Sequence, residues 1–370
     1  MKSNDVNNFK LVILPGAEEF GKRVNTHIKK ILKTKKNFIL SLDLVRFNNG
    51  EGKGQIKESD SVRNTKVYIL QDITNSFKTY NFRGLKVPYS PDEHFQDITR
   101  AIGAFQGHAK EISVIMPFLY EGRQHDGNEK ESLDCALALQ ELVTKGSKRI
   151  ITFDVHNKGV RNAIPLTEFK SIFPTNPILY EFLNNEDFDI DNLQIISPDA
   201  GATKRAAFYR DLFLANMGYF SKSRDLTVVK DGKNPIKEHV YVGPETKDKD
   251  IIVVDDMIDS GGSMVDTIRQ IKLRGAKNIY VIVSFALFTK GYEEFDKLYN
   301  EGILTKIYST NLAYIPKDLE HKKWFHLVDC SELLAKYLVL YKDDHTLSAL
   351  NKVDYKIIRK IKKMRKEKVD

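Results

Sequence analysis

The sequence predicts an α/β protein made of two tandem units, each with a parallel sheet flanked by helices. Short apolar runs rich in β-branched residues alternate with segments of helical period along most of the chain. The chain has 370 residues, 41% hydrophobic and 10% aromatic, so it can bury more than one core. A segment punctuated by prolines, Ile164–Asn176, separates the two series of runs.

The predicted strands are mostly apolar runs, spaced widely enough to leave room for helices. In chain order they are Phe9–Leu14, Phe38–Leu42, Lys66–Leu70, Glu111–Met116, Arg149–Phe153, Leu193–Ile196, Ile251–Val254, Asn278–Ser284 and Leu304–Tyr308. Three segments are predicted as helices because their apolar residues recur at helical spacing. They are Ala17–Leu32, Leu133–Val143 (with Leu137, Leu139 and Leu142 on one face) and Glu332–Tyr341.

This order predicts an N-terminal domain over residues 1–172, a C-terminal domain over residues 173–341 and an extension over residues 342–370. Asn75–Pro91 has no clear period and is interpreted as a long surface loop or insertion. Gly232–Lys249 is similarly polar and carries Pro235 and Pro244.

The net charge of +8 is concentrated at the C-terminal end. Residues 355–370 hold eight basic and two acidic side chains, which leaves +2 for the rest of the chain. A general nucleic-acid binder is disfavoured, because such proteins spread basic surface over the folded domain. The tail is interpreted as a solvated, partly helical extension in which Ile358, Ile361 and Met364 recur every third residue.

Cysteine content and hydropathy predict a cytoplasmic protein without membrane association. Cys135 and Cys330 are too few for a disulfide framework and do not form a CxxC motif. The first ten residues lack the apolar stretch of a secretory signal. The longest apolar run, Ile279–Phe288, is far shorter than the ~20 residues of a membrane helix.

The most informative stretch is Ile251–Ser263, IIVVDDMIDSGGS. A buried strand ends on two carboxylates, and a Ser-Gly-Gly-Ser turn leads into a helix. Glycines let backbone N–H groups approach phosphate oxygens, the hydroxyls of Ser260 and Ser263 donate further bonds, and a helix N-terminus favours anions. Asp255 and Asp256 would repel a phosphate, but they suit ribose hydroxyls. The stretch therefore predicts a site for a phosphorylated sugar, with Asp259, Ser260, Gly261, Gly262 and Ser263 around the phosphate.

This stretch resembles the phosphoribosyl pyrophosphate-binding signature of type I phosphoribosyltransferases and of ribose-phosphate pyrophosphokinases. Further motifs favour the second family, since phosphoribosyltransferases usually have one such domain. These motifs are FNNGE (Phe47–Glu51), GRQ (Gly122–Gln124), FDVH (Phe153–His156), SPDAGATKR (Ser197–Arg205) and SKSR (Ser221–Arg224). The resemblance runs from about Phe9 to Tyr337.

The resemblance implies two tandem type I phosphoribosyltransferase-like domains and a defined reaction. The β,γ-diphosphoryl group of MgATP would pass to the C1 hydroxyl of ribose 5-phosphate, giving 5-phosphoribosyl 1-diphosphate and AMP. ATP and ribose 5-phosphate are then the substrates and Mg²⁺ the cofactor. The family assembles from dimers, so a homo-oligomer is expected, with a hexamer as one form.

Two motifs are interpreted as the ATP site. Phe47 offers an apolar surface for stacking on a purine, and Asn49 and Glu51 can bond to its edge or to the ribose. Arg123 and Gln124 follow a strand at its C-terminal end, where α/β proteins bind ligands. In the family the corresponding pair binds the nucleotide in a site shared between subunits. His125 stands where the family usually has Asp.

Asp154 and His156 lie just past a predicted strand, two residues apart, as metal ligands or water-mediated neighbours would. The resemblance implies that His156 belongs to a magnesium site near the triphosphate, together with Asp199. The family often has further acids after this histidine. Here Ala163 precedes Ile164-Pro165, and Glu168 is the candidate substitute.

Lys222 and Arg224 alternate in a segment expected to be extended, so both cations can face one ligand. The resemblance implies that they are the catalytic pair of a mobile loop. Lys, Arg and Mg²⁺ that neutralise charge in the transition state supply much of the rate of phosphoryl-type transfer.

Three alternatives stay open. A type I phosphoribosyltransferase would account for Asp255–Ser263 but not for the N-terminal motifs. A non-catalytic regulatory paralogue would account for His125 and for the missing acid after His156. A protein that binds RNA or acidic membrane through its basic tail would use residues 355–370.

Overall fold

The computed structural model describes residues 9–57, 61–224, 236–343 and 345–366, and it divides into two compact units. Unit 1 comprises the described residues up to Pro174, together with Asn311–Tyr314 and Asp329–Lys352. Unit 2 comprises Thr175–Thr310, Ile315–Val328 and the described residues from Val353 onwards. The first change of unit lies two residues beyond the sequence boundary at 172.

The described residues form sixteen strands and nine α-helices. The strands are β1 (Phe9–Ile13), β2 (Leu42–Arg46), β3 (Gly52–Ile56), β4 (Lys66–Leu70), β5 (Thr79–Phe82), β6 (Leu85–Pro88), β7 (Glu111–Ile115), β8 (Ser147–Phe153), β9 (Glu168–Ile172), β10 (Leu193–Ser197), β11 (Asn216–Arg224), β12 (Ile236–Val242), β13 (Asp250–Ile258), β14 (Asn278–Ala286), β15 (Lys306–Thr310) and β16 (Phe325–Val328). The helices are α1 (Glu18–Ile31), α2 (Pro91–Phe105), α3 (Asp134–Thr144), α4 (Thr175–Asn185), α5 (Thr203–Phe213), α6 (Gly262–Leu273), α7 (Glu293–Asn300), α8 (Ser331–Lys342) and α9 (Tyr355–Lys366).

The main sheet of unit 1 has five parallel strands in the order β1-β4-β7-β8-β9. Its inner strand β4 is buried along its whole length, as expected for a parallel strand covered by helices on both faces. Because all five strands run the same way, the segments that follow them emerge at one edge. Two separate two-stranded sheets, β2-β3 and β5-β6, complete this unit.

The sheet of unit 2 has seven strands in the order β12-β11-β10-β13-β14-β15-β16. All neighbours are parallel except β12, which pairs antiparallel with β11 at the sheet edge. The β-branched run of β13 and the apolar run of β14 lie at the centre and are buried. The tandem α/β units predicted from the sequence are therefore present, and eight of the nine predicted strands coincide with observed ones.

Between residues 38 and 144 the structure differs from the sequence interpretation at three places. Phe38–Leu42 forms only an isolated bridge from Ile39 to β1, and Leu42 instead begins β2. Asn75–Pro91 is not an irregular loop, because it contains the β5-β6 hairpin. In α3, Leu137 is 57% exposed while Leu139 and Leu142 are buried, since residues two apart on a helix do not share a face.

The C-terminal helices α8 and α9 belong to different units. The sequence assigned Glu332–Tyr341 to the second domain, whereas α8 packs on α1 in unit 1. Its apolar face, including Leu334 and Leu338, is fully buried there. Asp329, just before α8, forms an ion pair with Arg23 of α1 at 3.4 Å.

The basic tail is a helix, α9, that packs on α4. Ile357 and Ile361 are its buried residues, because they lie four apart and face α4. Lys360 donates to the Asn184 side chain at 2.6 Å, and Arg365 forms an ion pair with Asp191 at 3.4 Å. Two basic side chains of the tail thus help to attach α9 to the rest of unit 2.

We expect Ile361→Asp to release α9, because the change places a charge against an apolar helix face. Amide hydrogen exchange should accelerate throughout Tyr355–Lys366 while the strands of unit 2 keep their protection. Lys362→Asp changes the charge in the same direction at an exposed neighbour and should leave α9 protected. Equal protection of α9 in both variants would contradict this packing.

Within the described ranges, no helix has both the length and the apolar composition required to cross a bilayer.

Candidate functional site

Acidic residues predicted for the sugar site and for the magnesium site meet at one edge of the unit 2 sheet. β10 and β13 are parallel neighbours whose pairing ends at Ile196 and Val253. Asp199 follows β10, and Asp255 and Asp256 lie in the part of β13 beyond this pairing. The structure therefore brings Asp199 close enough to act electrostatically on Asp255.

Asp255, which is half-buried, and Asp256, which is buried, form a carboxylate pair. The backbone N–H of Asp256 donates to Asp255 Oδ1 at 2.8 Å. Burial raises the pKa of Asp255 well above its ordinary value, and the neighbouring carboxylates of Asp256 and Asp199 raise it further. Such a pair favours a cation or hydroxyl donors as ligands.

The turn after β13 leaves the N-terminus of α6 open. Gly261 precedes the helix with φ +85°, and no side chain caps the first turn. A Cβ at Gly261 would lie 2.7 Å from Phe295 Cε2, so glycine is required by both conformation and space. Ser260, Gly262 and Ser263 are exposed around this turn. Helix N–H groups without a capping side chain bind anions, and phosphate in particular.

Asp259 is hydrogen-bonded to Thr289. Its Oδ1 accepts a hydrogen bond from Thr289 Oγ1 at 2.8 Å, and its carbonyl accepts from the Thr289 N–H at 3.0 Å. The carboxylate therefore fixes the turn against the segment after β14.

The two glycines of this turn should respond differently to alanine. We expect Gly261→Ala to lower the free energy of unfolding by about 2 kcal/mol, because alanine there is strained and contacts the buried Phe295 ring. A Cβ at Gly262 meets nothing within 4 Å, so Gly262→Ala should change this quantity by less than about 0.5 kcal/mol. Urea unfolding of both variants checks the difference, and equal losses would contradict it.

Lys222 and Arg224 lie near the C-terminal end of β11. This strand pairs with β10 only as far as Tyr219 and then continues for five residues beside β12. The backbone of both residues is thus a strand rather than a loop, and it extends beyond the edge that carries Asp199. The side chains of both residues, and residues 225–235, lie outside the described part of the chain.

In unit 1, Phe47, Asn49 and Glu51 form the turn of the β2-β3 hairpin. Phe47 N–H donates to the Glu51 carbonyl and Gly50 N–H to the Phe47 carbonyl, both at 2.9 Å. Asn49 Nδ2 donates to Glu51 Oε2 at 2.8 Å, which orients the two polar side chains as a pair. Phe47 is 47% exposed. The turn thus presents one ring and one polar pair to solvent.

The loops after β7 and β8 meet at the C-terminal edge of the unit 1 sheet. Arg123 and Gln124 are exposed on the first loop. Asp154 begins the second loop in a left-handed conformation, φ +34°, and is buried, while His156 is exposed. The rings of His125 and His156 lie 5.6 Å apart between centroids. The predicted nucleotide loop and the predicted metal loop are therefore neighbours.

Glu168 cannot substitute for the missing acid after His156. It lies at the start of β9, opposite Arg149, and its carboxylate accepts from the Arg149 Nε–H at 2.6 Å and from the Tyr341 hydroxyl at 2.8 Å. Asp154 lies beyond the far end of β8, so the length of the strand separates the two carboxylates.

The donors present are of the kind that Mg²⁺ uses, although the described residues contain no group of three His, Cys, Asp or Glu side chains able to hold a metal. Mg²⁺ commonly keeps several waters and takes one or two carboxylates plus substrate phosphates. Asp199 with the Asp255–Asp256 pair is a concentration of negative charge that suits such an ion. Asp154 and His156 lie in unit 1.

Sequence reasoning missed Arg46 and the β5-β6 hairpin, which support the Phe47–Glu51 turn. Arg46 forms ion pairs with Glu93 at 2.6 Å and with Asp97 at 3.1 Å on α2. The signal for the hairpin was the alternation in TYNF and LKVP around Arg83-Gly84. A two-residue turn is the usual connection of such strands.

Two family models match most of the chain. Residues 10–146 match the N-terminal domain of ribose phosphate pyrophosphokinase, and residues 177–322 match the phosphoribosyl transferase domain.

Curated relatives and one solved structure agree with these matches. The ribose-phosphate pyrophosphokinase of Mycoplasma pneumoniae is 25% identical over 84% of this chain and 88% of the relative. Ribose-phosphate pyrophosphokinase 2 of Schizosaccharomyces pombe is 26% identical over 88% of this chain and 95% of the relative. The crystal structure of phosphoribosylpyrophosphate synthetase from Mycobacterium smegmatis aligns with a TM-score of 0.74 and 19% identity, covering 91% of this chain and all of that one. This last likeness concerns the fold, and it confirms the fold class predicted from the sequence.

Proposed function

Because the chain belongs to the ribose-phosphate pyrophosphokinase family, we propose that it transfers the β,γ-diphosphoryl group of ATP to the C1 hydroxyl of ribose 5-phosphate. The products are 5-phosphoribosyl 1-diphosphate and AMP. The observation that carries the proposal is the combination of two adjacent carboxylates and an open helix N-terminus within thirteen residues of unit 2.

Ribose 5-phosphate binds at this turn. The backbone N–H groups at the start of α6, with the hydroxyls of Ser260 and Ser263, hold the 5-phosphate, and Gly262 leaves space for its oxygens. Asp255 and Asp256 accept hydrogen bonds from the ribose hydroxyls. Asp259 keeps the turn in position through Thr289.

ATP binds through residues of unit 1. Phe47 stacks on the adenine, and the Asn49–Glu51 pair bonds to its polar edge or to the ribose. Arg123 and Gln124 hold the phosphate-bearing part, where a guanidinium can bond to two oxygens at once. Aligning the two substrates replaces a bimolecular encounter by a reaction between neighbours.

Lys222 and Arg224 neutralise the charge that builds on the transferred group and on the departing AMP. Asp199 in unit 2 is suited to hold Mg²⁺ directly or through water, and Asp154 and His156 in unit 1 are suited to the same role. When bound, Mg²⁺ supplies Lewis-acid neutralisation of the phosphate oxygens.

We also propose a cytoplasmic location and a homo-oligomeric state for this enzyme. Buried thiols at Cys135 and Cys330, not joined in a disulfide, suit a reducing cytoplasm. The family's assembly from dimers suggests a homo-oligomer, which light scattering of the purified chain would reveal.

A coupled AMP-release assay on the purified chain tests the proposal. AMP should form only when ATP, ribose 5-phosphate and Mg²⁺ are all present. AMP formation that ignores ribose 5-phosphate, or its absence with all three present, would contradict the proposal. The second result, combined with retained ATP binding, would favour a non-catalytic paralogue.

A further inference from the structure

The β5-β6 hairpin lies where the sequence predicted an irregular insertion, and its tip contacts the turn assigned to ATP. Its two-residue loop, Arg83-Gly84, has positive φ at both positions, +49° and +83°. This is the backbone form that matches the twist of the flanking strands. The hairpin is therefore an ordered element with a defined tip.

Two contacts join the tip to the Phe47–Glu51 turn. The Arg83 N–H donates to the Asn48 carbonyl at 2.9 Å. The Phe82 ring covers Gly50, since a Cβ at that glycine would lie 2.9 Å from Phe82 Cε2. Gly50 has φ +92° and no side chain, so its backbone is the least restrained in the turn. The Phe82 ring packs on this residue.

Arg46, one residue before the turn, also connects the β2-β3 hairpin to the β5-β6 hairpin. Its guanidinium lies over the rings of Tyr80 in β5 and Tyr89 just after β6, 4.9 and 5.2 Å from their centroids. The same group pairs with Glu93 and Asp97 of α2, and its side chain is only 8% exposed. A single buried cation therefore joins β2, the β5-β6 hairpin and α2.

The base of the hairpin is anchored to the main sheet of unit 1. Asn75 Nδ2 donates to the Gly16 carbonyl at 2.9 Å, and His94 Nε2 lies 2.9 Å from the Asn75 carbonyl. Gln71, just after β4, accepts from the Gly16 N–H at 3.0 Å and contacts His94 Nδ1 at 2.8 Å. These groups are buried, so the network resists opening.

The strands of the β2-β3 hairpin pack on α2 and on the core of unit 1, whereas the side chains of its turn are exposed. A ligand that binds its turn would otherwise meet the entropy cost of ordering it. We propose that the β5-β6 hairpin is a positioning element for the nucleotide turn, holding Phe47–Glu51 in the binding conformation through Phe82 and Arg83. The inference rests on the proposed assignment of ATP to that turn.

The test compares Phe82→Ala with two matched variants of the full chain. Calorimetry with a non-hydrolysable ATP analogue should show a dissociation constant about tenfold higher for Phe82→Ala. Phe82→Tyr keeps the ring and should stay within about twofold of the unmodified chain. Leu85→Ala removes a 68% exposed apolar side chain from the same hairpin, and its dissociation constant should also stay within about twofold. Affinity for ribose 5-phosphate should be equal in all four proteins.

Amide exchange provides a readout that does not need ATP. The Gly50 and Phe47 N–H groups, which close the turn, should exchange faster in Phe82→Ala than in Leu85→Ala. Unchanged nucleotide affinity and unchanged exchange in Phe82→Ala, or an equal loss of affinity for both substrates, would overturn the inference. If the unmodified chain does not bind the analogue, the assignment of ATP to the turn fails instead.

Discussion

Lys222→Ala is expected to lower kcat by about 10³-fold while leaving the affinity for ribose 5-phosphate unchanged. Charge on the transferred diphosphoryl group grows only as the transition state forms, so a cation placed for it acts on turnover rather than on binding. The strand that carries Lys222 runs five residues past its pairing with β10, beyond the edge that holds Asp199. Steady-state kinetics of the coupled assay, with calorimetry for ribose 5-phosphate, provide the measurement.

Two controls separate this effect from damage to β11. Ser221→Ala changes an exposed neighbour in the same strand and should leave kcat within about twofold. Lys222→Arg keeps a positive charge and should recover part of the lost turnover. A Lys222→Ala enzyme with near-normal kcat, or one that loses ribose 5-phosphate affinity, would show that the residue has another role.

Asp255→Asn should make the chain without ligands more stable and the enzyme much less active. The change removes one negative charge from a closely spaced carboxylate pair, which should raise the melting temperature by roughly 2–4 °C. Ribose hydroxyls lose a charged acceptor, and hydrogen bonds to charged groups contribute about 1.5–3 kcal/mol. We therefore expect kcat/KM for ribose 5-phosphate to fall by about 10- to 100-fold. Gains in stability at the expense of activity are typical of binding sites built from like charges.

The stability gain of Asp255→Asn should depend on pH in a definite direction. The pKa of Asp255 is raised in the folded chain, so folding takes up protons between the ordinary and the raised pKa. The stability that the protonated carboxyl contributes is present at pH 4 and is lost as pH rises through the folded pKa. The melting temperatures of Asp255→Asn and of the unmodified chain should therefore differ little at pH 4 and most at pH 8.

Asp266→Asn makes the same change of charge at an exposed position of α6 and provides the control. Its melting temperature should follow that of the unmodified chain across the pH range. A variant at Asp255 that is less stable than the unmodified chain at pH 8 would contradict the carboxylate-pair account.

The central strands could be predicted from the sequence because a parallel strand buried on both faces is a nearly continuous apolar run. β4, β7, β13 and β14 all have this form. The sugar site could be predicted for a related reason. Its acids, glycines and hydroxyls lie within thirteen consecutive residues, so local order alone brings them together.

Features that depend on distant contacts could not be predicted in this way. The apolar face of α8 is compatible with packing in either unit, and only the folded chain shows that α1 covers it. Glu168 was a reasonable substitute metal ligand by its position after His156. The register of β8 and β9 instead places it opposite Arg149, at the wrong end of the sheet.

The edge strands and hairpins also depend on contacts with distant residues. β11, β12 and β5-β6 carry polar and aromatic residues whose pattern is weak without their partners. Arg46 is an ordinary surface cation in the sequence, and it becomes a buried link only because Tyr80, Tyr89 and two acids of α2 surround it.

Transfer of label from ATP tests the central claim most directly. Diphosphoryl transfer moves the β- and γ-phosphorus together, so ATP labelled at the β-phosphorus should give labelled 5-phosphoribosyl 1-diphosphate and unlabelled AMP. Phosphorus NMR should show the two products in equal amounts. Label recovered as ADP, or AMP formed together with free pyrophosphate and unchanged ribose 5-phosphate, would contradict the account.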